Sequence, residues 1–492
     1  MKSIFEFYKK NTVFTIVTIV YTTLTIISLN YCYFWDNIYY TPDFAIKFYN
    51  FDADNLVSLN TILNNQFIAS LGLHPPTLGF ITAVMWKFIG PYLWVSHLFF
   101  YIWFLVISFN LWKLLQITTP KEIVSWIFIL IMLEPAMLSQ YVIASPDFIL
   151  ITAFILSTRA IFENNKKLLL IGLIILCGIH IRGLFAGVIL LFVDYYYQLF
   201  IQKKQLNIGL FIKITYPYLI VFSIFLAYII IYYNAGGISI LESPNKSHYS
   251  TPNFNQIIKN IATFSLRSIE SGRIIIWISG FVILFLMLKN KIKTSNQVKV
   301  ILILFILHFG LYFIFIFISR MPFCHRYFFP HYIALTIIVI NGIWNYFNQK
   351  KAIILFVTIL FFEITGNFWI YPNPISNSWD CTLAHLPYYE LRKKCFNFID
   401  SSKIDYNRIS ADYTLYGNRK MIELSKDNKI VKNQTESSKE EYDYFIYSNI
   451  SNSNDSLLLN LKDSNYWVPI KKFEKGFVDI IIYKRTSQSI KD

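Results

Sequence analysis

The chain has 492 residues, of which 55% are hydrophobic and 15% charged, with a net charge of +15. Soluble proteins carry about 25% charged residues, so this composition excludes a soluble globular class and indicates a polytopic membrane protein. Nucleic acid is excluded as a partner despite the positive charge, because the lysines fall mostly in short loops between apolar runs, where they act as topology signals.

The first apolar run, residues 12–31, follows Lys9-Lys10 and lacks a small-residue cleavage site, so it reads as a signal anchor with a cytoplasmic N-terminus. Residues 32–92 then form an outer loop with four aspartates, Asp36, Asp43, Asp52 and Asp54, followed by His74-Pro75-Pro76. From Asp54 onward Leu56, Leu59, Leu63 and Phe67 share one face, which predicts an amphipathic interfacial helix. A second short helix is expected from Pro76 to Gly90, at about 21 Å too short to cross a ~30 Å hydrocarbon core.

Spans are then expected at 93–112, 123–143, 148–162, 168–181, 184–201, 211–233, 274–288, 300–318, 327–346 and 352–370. With this assignment every lysine-rich loop lies on the cytoplasmic side. The expected fold is an all-α polytopic membrane protein of about eleven transmembrane helices plus juxtamembrane helices. Residues 1–370 form the membrane module. Residues 371–492, with alternating stretches such as YDYFIYS and VDIIIYKR, predict a small extracytoplasmic α/β domain. Cys381 and Cys395 in this tail are either a disulfide pair or two independent thiols.

Ionisable residues near a membrane core carry a functional expectation, because desolvation is costly unless the group is paired or used. Three clusters qualify at the outer face. The first is Asp52 and Asp54 with His74, the second is Asp147 in Ser145-Pro146-Asp147, and the third is basic: His180, Arg182, Arg320, His325, Arg326 and His331. Acidic groups facing Arg and His suggest an anionic substrate, most naturally a phosphate. Asp52 also suits a helix N-cap, and the two roles are compatible. A divalent metal on Asp52, Asp54 and His74 is a possible addition, but no metal is assigned.

The order of these features resembles the C-type glycosyltransferase (GT-C) fold, in particular its protein-mannosyltransferase and aminoarabinose-transferase branch. The resemblance rests on the Asp52-Ala53-Asp54 pair, His74-Pro75-Pro76, Ser145-Pro146-Asp147 and Arg326-Tyr327. It extends over residues 10–200, weakens to 370 and leaves out the tail. It implies an inverting transferase that moves a sugar from a polyprenyl-phosphate donor to an acceptor hydroxyl on a glycan, lipid or protein at the outer face of a bacterial plasma membrane. It assigns the catalytic base to Asp52, with Asp54 next. The family places its acidic pair soon after the first span, whereas about twenty residues intervene before Asp52, so Asp43 stays open as an alternative. His74, Asp147, Arg182, His325 and Arg326 are the expected substrate-binding residues. The competing class is a polytopic lipid or sugar transporter or flippase, which would make no bond.

Overall fold

The structure is a computed structural model that describes residues 11–72, 74–237, 250–320, 323–372, 375, 377–425, 427–433, 442–451, 453, 455–462 and 466–486. Lys9 and Lys10 of the sequence reading lie outside the described residues.

Each apolar run folds as helix. In chain order the bundle comprises α1 (Thr12–Ser28), α2 (Phe44–Phe48), α3 (Leu59–Ile62), α4 (Asn65–Ser70), α5 (Thr77–Ile89), α6 (Leu93–Thr118), α7 (Lys121–Leu133), α8 (Pro135–Val142), α9 (Pro146–Phe162), α10 (Lys166–Ile179), α11 (Arg182–Tyr196), α12 (Ile208–Asn234), α13 (Phe254–Ile269), α14 (Ile274–Leu288), α15 (Asn296–Ile318), α16 (Phe329–Tyr346) and α17 (Gln349–Gly366). Among the described residues five helical segments are long and apolar enough to cross a membrane alone, or up to seven if the bent pairs α7–α8 (54°) and α13–α14 (95°) each count as one span. Several expected spans are therefore shorter than a straight crossing needs. α9 is apolar all round and buried along nearly its whole length, packed against α6 and α10, so it is the centre of the bundle.

The amphipathic helix expected from Asp54 is not continuous. Asn55–Leu56 instead pairs as β2 with β1 (Tyr49–Asn50) in a small antiparallel hairpin. Ser58 Oγ then accepts the Thr61 amide at 3.2 Å and starts α3, and Asn64 Oδ1 accepts the Gln66 amide at 2.8 Å and starts α4. Two N-caps six residues apart split the apolar stripe into two short helices. α5 forms close to the expected bounds and ends at Gly90, whose φ of +105° a side chain would resist.

The tail folds around helix α18 (Pro387–Ser401) and a six-stranded sheet of order β4-β5-β3-β6-β8-β7. Its strands are β3 (Ile409–Ala411), β4 (Gly417–Asn418), β5 (Ile430–Asn433), β6 (Tyr444–Ser448), β7 (Trp467–Lys475) and β8 (Val478–Arg485), with short helices α19 (Arg419–Ile422) and α20 (Asp455–Lys462). β3 runs parallel to both β5 and β6, and the outer pairs are antiparallel. The core of this domain does not close on itself. It takes in Phe34 from the first loop and Ile143 from the end of α8, beside Trp379, Phe396, Ile446 and Ile480. All five cysteines are free, Cys381 and Cys395 included, so those two are independent buried thiols.

Candidate active site

The ends of α1, α8, α10 and α15 and the starts of α9, α11 and α16 all meet at the end of the bundle that carries the tail. Residues 31–38 cross this end between bundle and tail. The Tyr33 amide donates to the Ile422 carbonyl at 3.0 Å and Asn37 Nδ2 to the Ile143 carbonyl at 2.6 Å. Phe34 is fully buried and stacks on the His385 ring at 5.0 Å. Trp35 adopts φ +57°, a left-handed conformation that a bulky side chain holds only when its surroundings impose it. Its ring packs edge-on against Tyr413 of the tail at 5.1 Å. This turn presents Asp36.

Asp36 is bound from two directions. Tyr413 OH donates to Oδ1 at 3.0 Å, and Arg326 pairs with Oδ2. Its side chain remains 40% exposed while that of Arg326 is 5% exposed, so the carboxylate stands at the boundary between a buried cation and open space.

Arg326 sits on the 3-10 turn His325–Phe328 that leads into α16. It engages three carboxylates: Asp36, Asp380, and Asp147 with Nε to Oδ2 at 3.1 Å. Asp147 lies in the first turn of α9, where Ser145 caps the helix and Pro146 suits the first position. It bridges to a second buried guanidinium, with Arg182 Nη2 at 2.6 Å from Oδ1. Arg182 in turn lies over the Tyr327 ring at 4.0 Å. Its placement depends on Gly183, since a Cβ there would collide with the Leu176 carbonyl at the end of α10. Asp380, just before the tail helix, is fixed through its carbonyl, which accepts Ser139 Oγ at 2.7 Å and Gln140 Nε2 at 2.6 Å.

Neighbouring buried pairs brace this arrangement. His325 Nε2 lies 2.5 Å from Glu270 Oε1, which also takes Arg267 at 2.6 Å. Arg273 pairs with Glu134 at 2.5 Å and lies 4.6 Å from the Tyr332 ring centroid. Such pairs cost desolvation and contribute little net stability, but removing one partner is expensive.

His74 stands beside this cluster, with ring centroids 4.5 Å from His180 and 5.2 Å from Tyr40. Burial, aided by the Arg182 charge, lowers its pKa to about 4, so the imidazole is neutral. Tyr228 OH pins its loop by donating to the Gly72 carbonyl at 2.8 Å and the His74 carbonyl at 3.3 Å. The same tyrosine, with Pro75, Pro76, Ile174, Cys177 and Phe225, lines an apolar cavity of about 290 Å³.

The structure thus brings together Asp147, Arg182 and Arg326, with His74 and His325 in contact with neighbours of that group. It places the other expected residues elsewhere. Asp52 is exposed in the turn of the β1–β2 hairpin, and Asp54, at φ +48°, accepts a hydrogen bond from Tyr49 within the same hairpin. Asp43 pairs with Lys47 at 3.0 Å on its own helix. Asp36, Asp380 and Tyr413 complete the cluster instead. The signal for Asp36 was its closeness to the first span; Asp380 and Tyr413 carry no local pattern. Among the described residues no group of three or more His, Cys, Asp and Glu side chains is placed to hold a metal ion.

No known family model matches the sequence, and no curated protein does. Among solved structures the chain is similar to ArnT from Cupriavidus metallidurans bound to undecaprenyl phosphate, with a TM-score of 0.50 over 96% of this chain and 98% of that one at 8% identity. The chain has the GT-C fold. Within that fold, this chain's charged side chains gather where the helix bundle meets the small sheet domain.

Proposed function

We propose that the protein is an integral-membrane glycosyltransferase that takes a sugar from a polyprenyl-phosphate donor and passes it to an acceptor hydroxyl at the extracytoplasmic face, with Asp36 as general base. The observation that carries this reading is the half-exposed Asp36 carboxylate held against the buried Arg326, which Asp147 links to a second buried arginine, Arg182, with an apolar cavity beginning at Pro75 beside His74. ArnT, bound to undecaprenyl phosphate, shares the fold and supports the choice of donor.

The chemistry needs one base and one anion site. The acceptor oxygen attacks the anomeric carbon from the face opposite the phosphate, so the sugar inverts. Asp36 removes the hydroxyl proton as the new C–O bond forms. The bond from carbon to phosphate oxygen breaks, and the phosphate leaves as an anion that needs charge stabilisation and no acid. Arg182 is suited to this: its buried Nε has no hydrogen-bond partner among the described residues, and a buried charged donor without an acceptor is costly. Neutral His74 adds a further ring nitrogen, since Nδ1 is also unpartnered. The apolar cavity beside Pro75 and Pro76 suits the prenyl chain.

The test is Asp36→Asn against Asp52→Asn, in membranes supplied with a panel of radiolabelled polyprenyl-phosphate sugars. Loss of a general base lowers turnover by about 10²–10⁴-fold. Asp36→Asn is expected to show that loss in kcat, while Asp52→Asn keeps kcat within a few-fold and changes at most the KM for the acceptor. The reverse pattern would return the base to the hairpin, and full activity in both would remove the carboxylate mechanism.

A further inference from the structure

Two segments diverge from the neighbourhood of Asp36. On the first-loop side the chain runs through Tyr39 to the β1–β2 hairpin. On the tail side it runs from Tyr413, which touches Asp36, through Tyr416 to β4 and α19. The two are tied where they part, with Tyr39 OH and Tyr416 OH 2.7 Å apart. Beyond that tie they enclose a cleft of about 440 Å³.

The cleft has a distinct chemistry. Asn50, Phe51 and Asp52 line one wall, and Asn418, Lys420 and Asn428 the other. Asn50 Oδ1 is occupied by the Asp52 amide at 3.0 Å, and Asn428 Oδ1 by Asn418 Nδ2 at 2.8 Å. Their two Nδ2 groups and the Asp52 carboxylate have no hydrogen-bond partner among the described residues. Lys420 Nζ lies 5.2 Å from the Phe51 ring centroid and has no carboxylate partner among those residues. One positive and one negative group leave the lining with no net charge, so it is not built to select an anion. It offers donors, an acceptor and an aromatic ring to a neutral molecule dense in hydroxyls.

We propose that this cleft is the acceptor subsite and that the acceptor presents a neutral carbohydrate chain to it. This deepens the transferase reading and rests on it. The reach is appropriate. Tyr413 and Asn418 are five residues apart, at most about 18 Å along the chain, so a short saccharide seated in the cleft extends to Asp36. Asp52 then has a function in binding, as one of the groups that hold sugar hydroxyls.

The experiment uses the full chain in nanodiscs, with maltotriose, cellotriose and chitotriose as separate probes in saturation-transfer NMR. At least one trisaccharide is expected to give saturation transfer. The Asn428→Ala/Lys420→Ala double variant, confirmed folded by its thermal midpoint, is expected to weaken that binding about tenfold, the size of one or two lost hydrogen bonds. Binding of undecaprenyl phosphate, measured separately, is expected to stay unchanged in that variant and to fall in Arg182→Gln. No transfer from any of the three trisaccharides, or equal transfer in the double variant, overturns the acceptor subsite. Undecaprenyl phosphate binding that survives Arg182→Gln counts instead against the donor assignment and leaves the cleft result to stand separately.

Discussion

Replacing Asp147 by Asn tests the electrostatic core of the site. Asp147 is 5% exposed and is shared by two guanidinium groups, at 2.6 Å from Arg182 and 3.1 Å from Arg326. Arg326 keeps Asp36 and Asp380 after the substitution. Arg182 keeps no other carboxylate within ion-pair range among the described residues, so the cost falls mainly on that buried cation. Breaking a buried pair by removing one partner costs about 3–5 kcal/mol, or about 10²–10⁴-fold in the folding equilibrium. The assay is unfolding of the purified protein in mixed micelles, followed by tryptophan fluorescence, for Asp147→Asn, Arg182→Gln and the double variant. Asp147→Asn is expected to be strongly destabilised and Arg182→Gln much less so, since Asp147 keeps Arg326, and the double variant is expected to recover about 2 kcal/mol or more relative to the sum of the singles, because no unpaired charge then remains. A cost below about 1 kcal/mol for Asp147→Asn, or strict additivity in the double variant, would refute the claim that Asp147 neutralises Arg182.

Other outcomes follow from the same geometry. Tyr413→Phe keeps the ring against Trp35 but removes the hydrogen bond to Asp36; turnover is expected to fall about 10–100-fold with undecaprenyl phosphate affinity unchanged, as steady-state kinetics and a binding titration would show. Gly183→Ala forces a methyl into the Leu176 carbonyl, which should cost about 1–3 kcal/mol and lower the thermal midpoint. His74 and His385 both have pKa values lowered to about 4, chiefly by burial. Between that value and the unfolded value of about 6.5 the unfolded chain binds more protons than the folded one, so stability is full above about pH 6.5 and declines as the pH falls toward 4. A pH series of melting curves checks this, and His74→Gln should flatten part of the slope.

Much of the bundle could be read from the sequence because a helix in lipid declares itself by composition, and α9 in particular by being apolar all round. Asp147, Arg182 and Arg326 were legible for a related reason: a charge beside such helices demands a partner, and Asp147 proved to be the partner of both arginines. The hairpin at Tyr49–Leu56 was not legible, since its strands are two residues long and the leucines that follow fit a helical face equally well. The same hairpin carries Asp52 and Asp54 away from the arginines. Asp36 was visible as a residue but its place in the cluster was not, because its position comes from a left-handed turn at Trp35 and from Tyr413, 377 residues away. Contacts of that range leave no mark in local spacing.

The shared interior of the tail and the first loop bears on how the protein comes to be made. Phe34 leaves the ribosome near the beginning of synthesis, yet most of its packing partners, His385 and Tyr388 among them, emerge only after the last helix of the bundle. Until then the aspartate two positions later has Arg326 but not Tyr413 to orient it, and Arg326 lacks Asp380. A nascent or truncated chain that stops at the bundle therefore lacks the finished carboxylate–arginine cluster, which is completed only by the final stretch of translation.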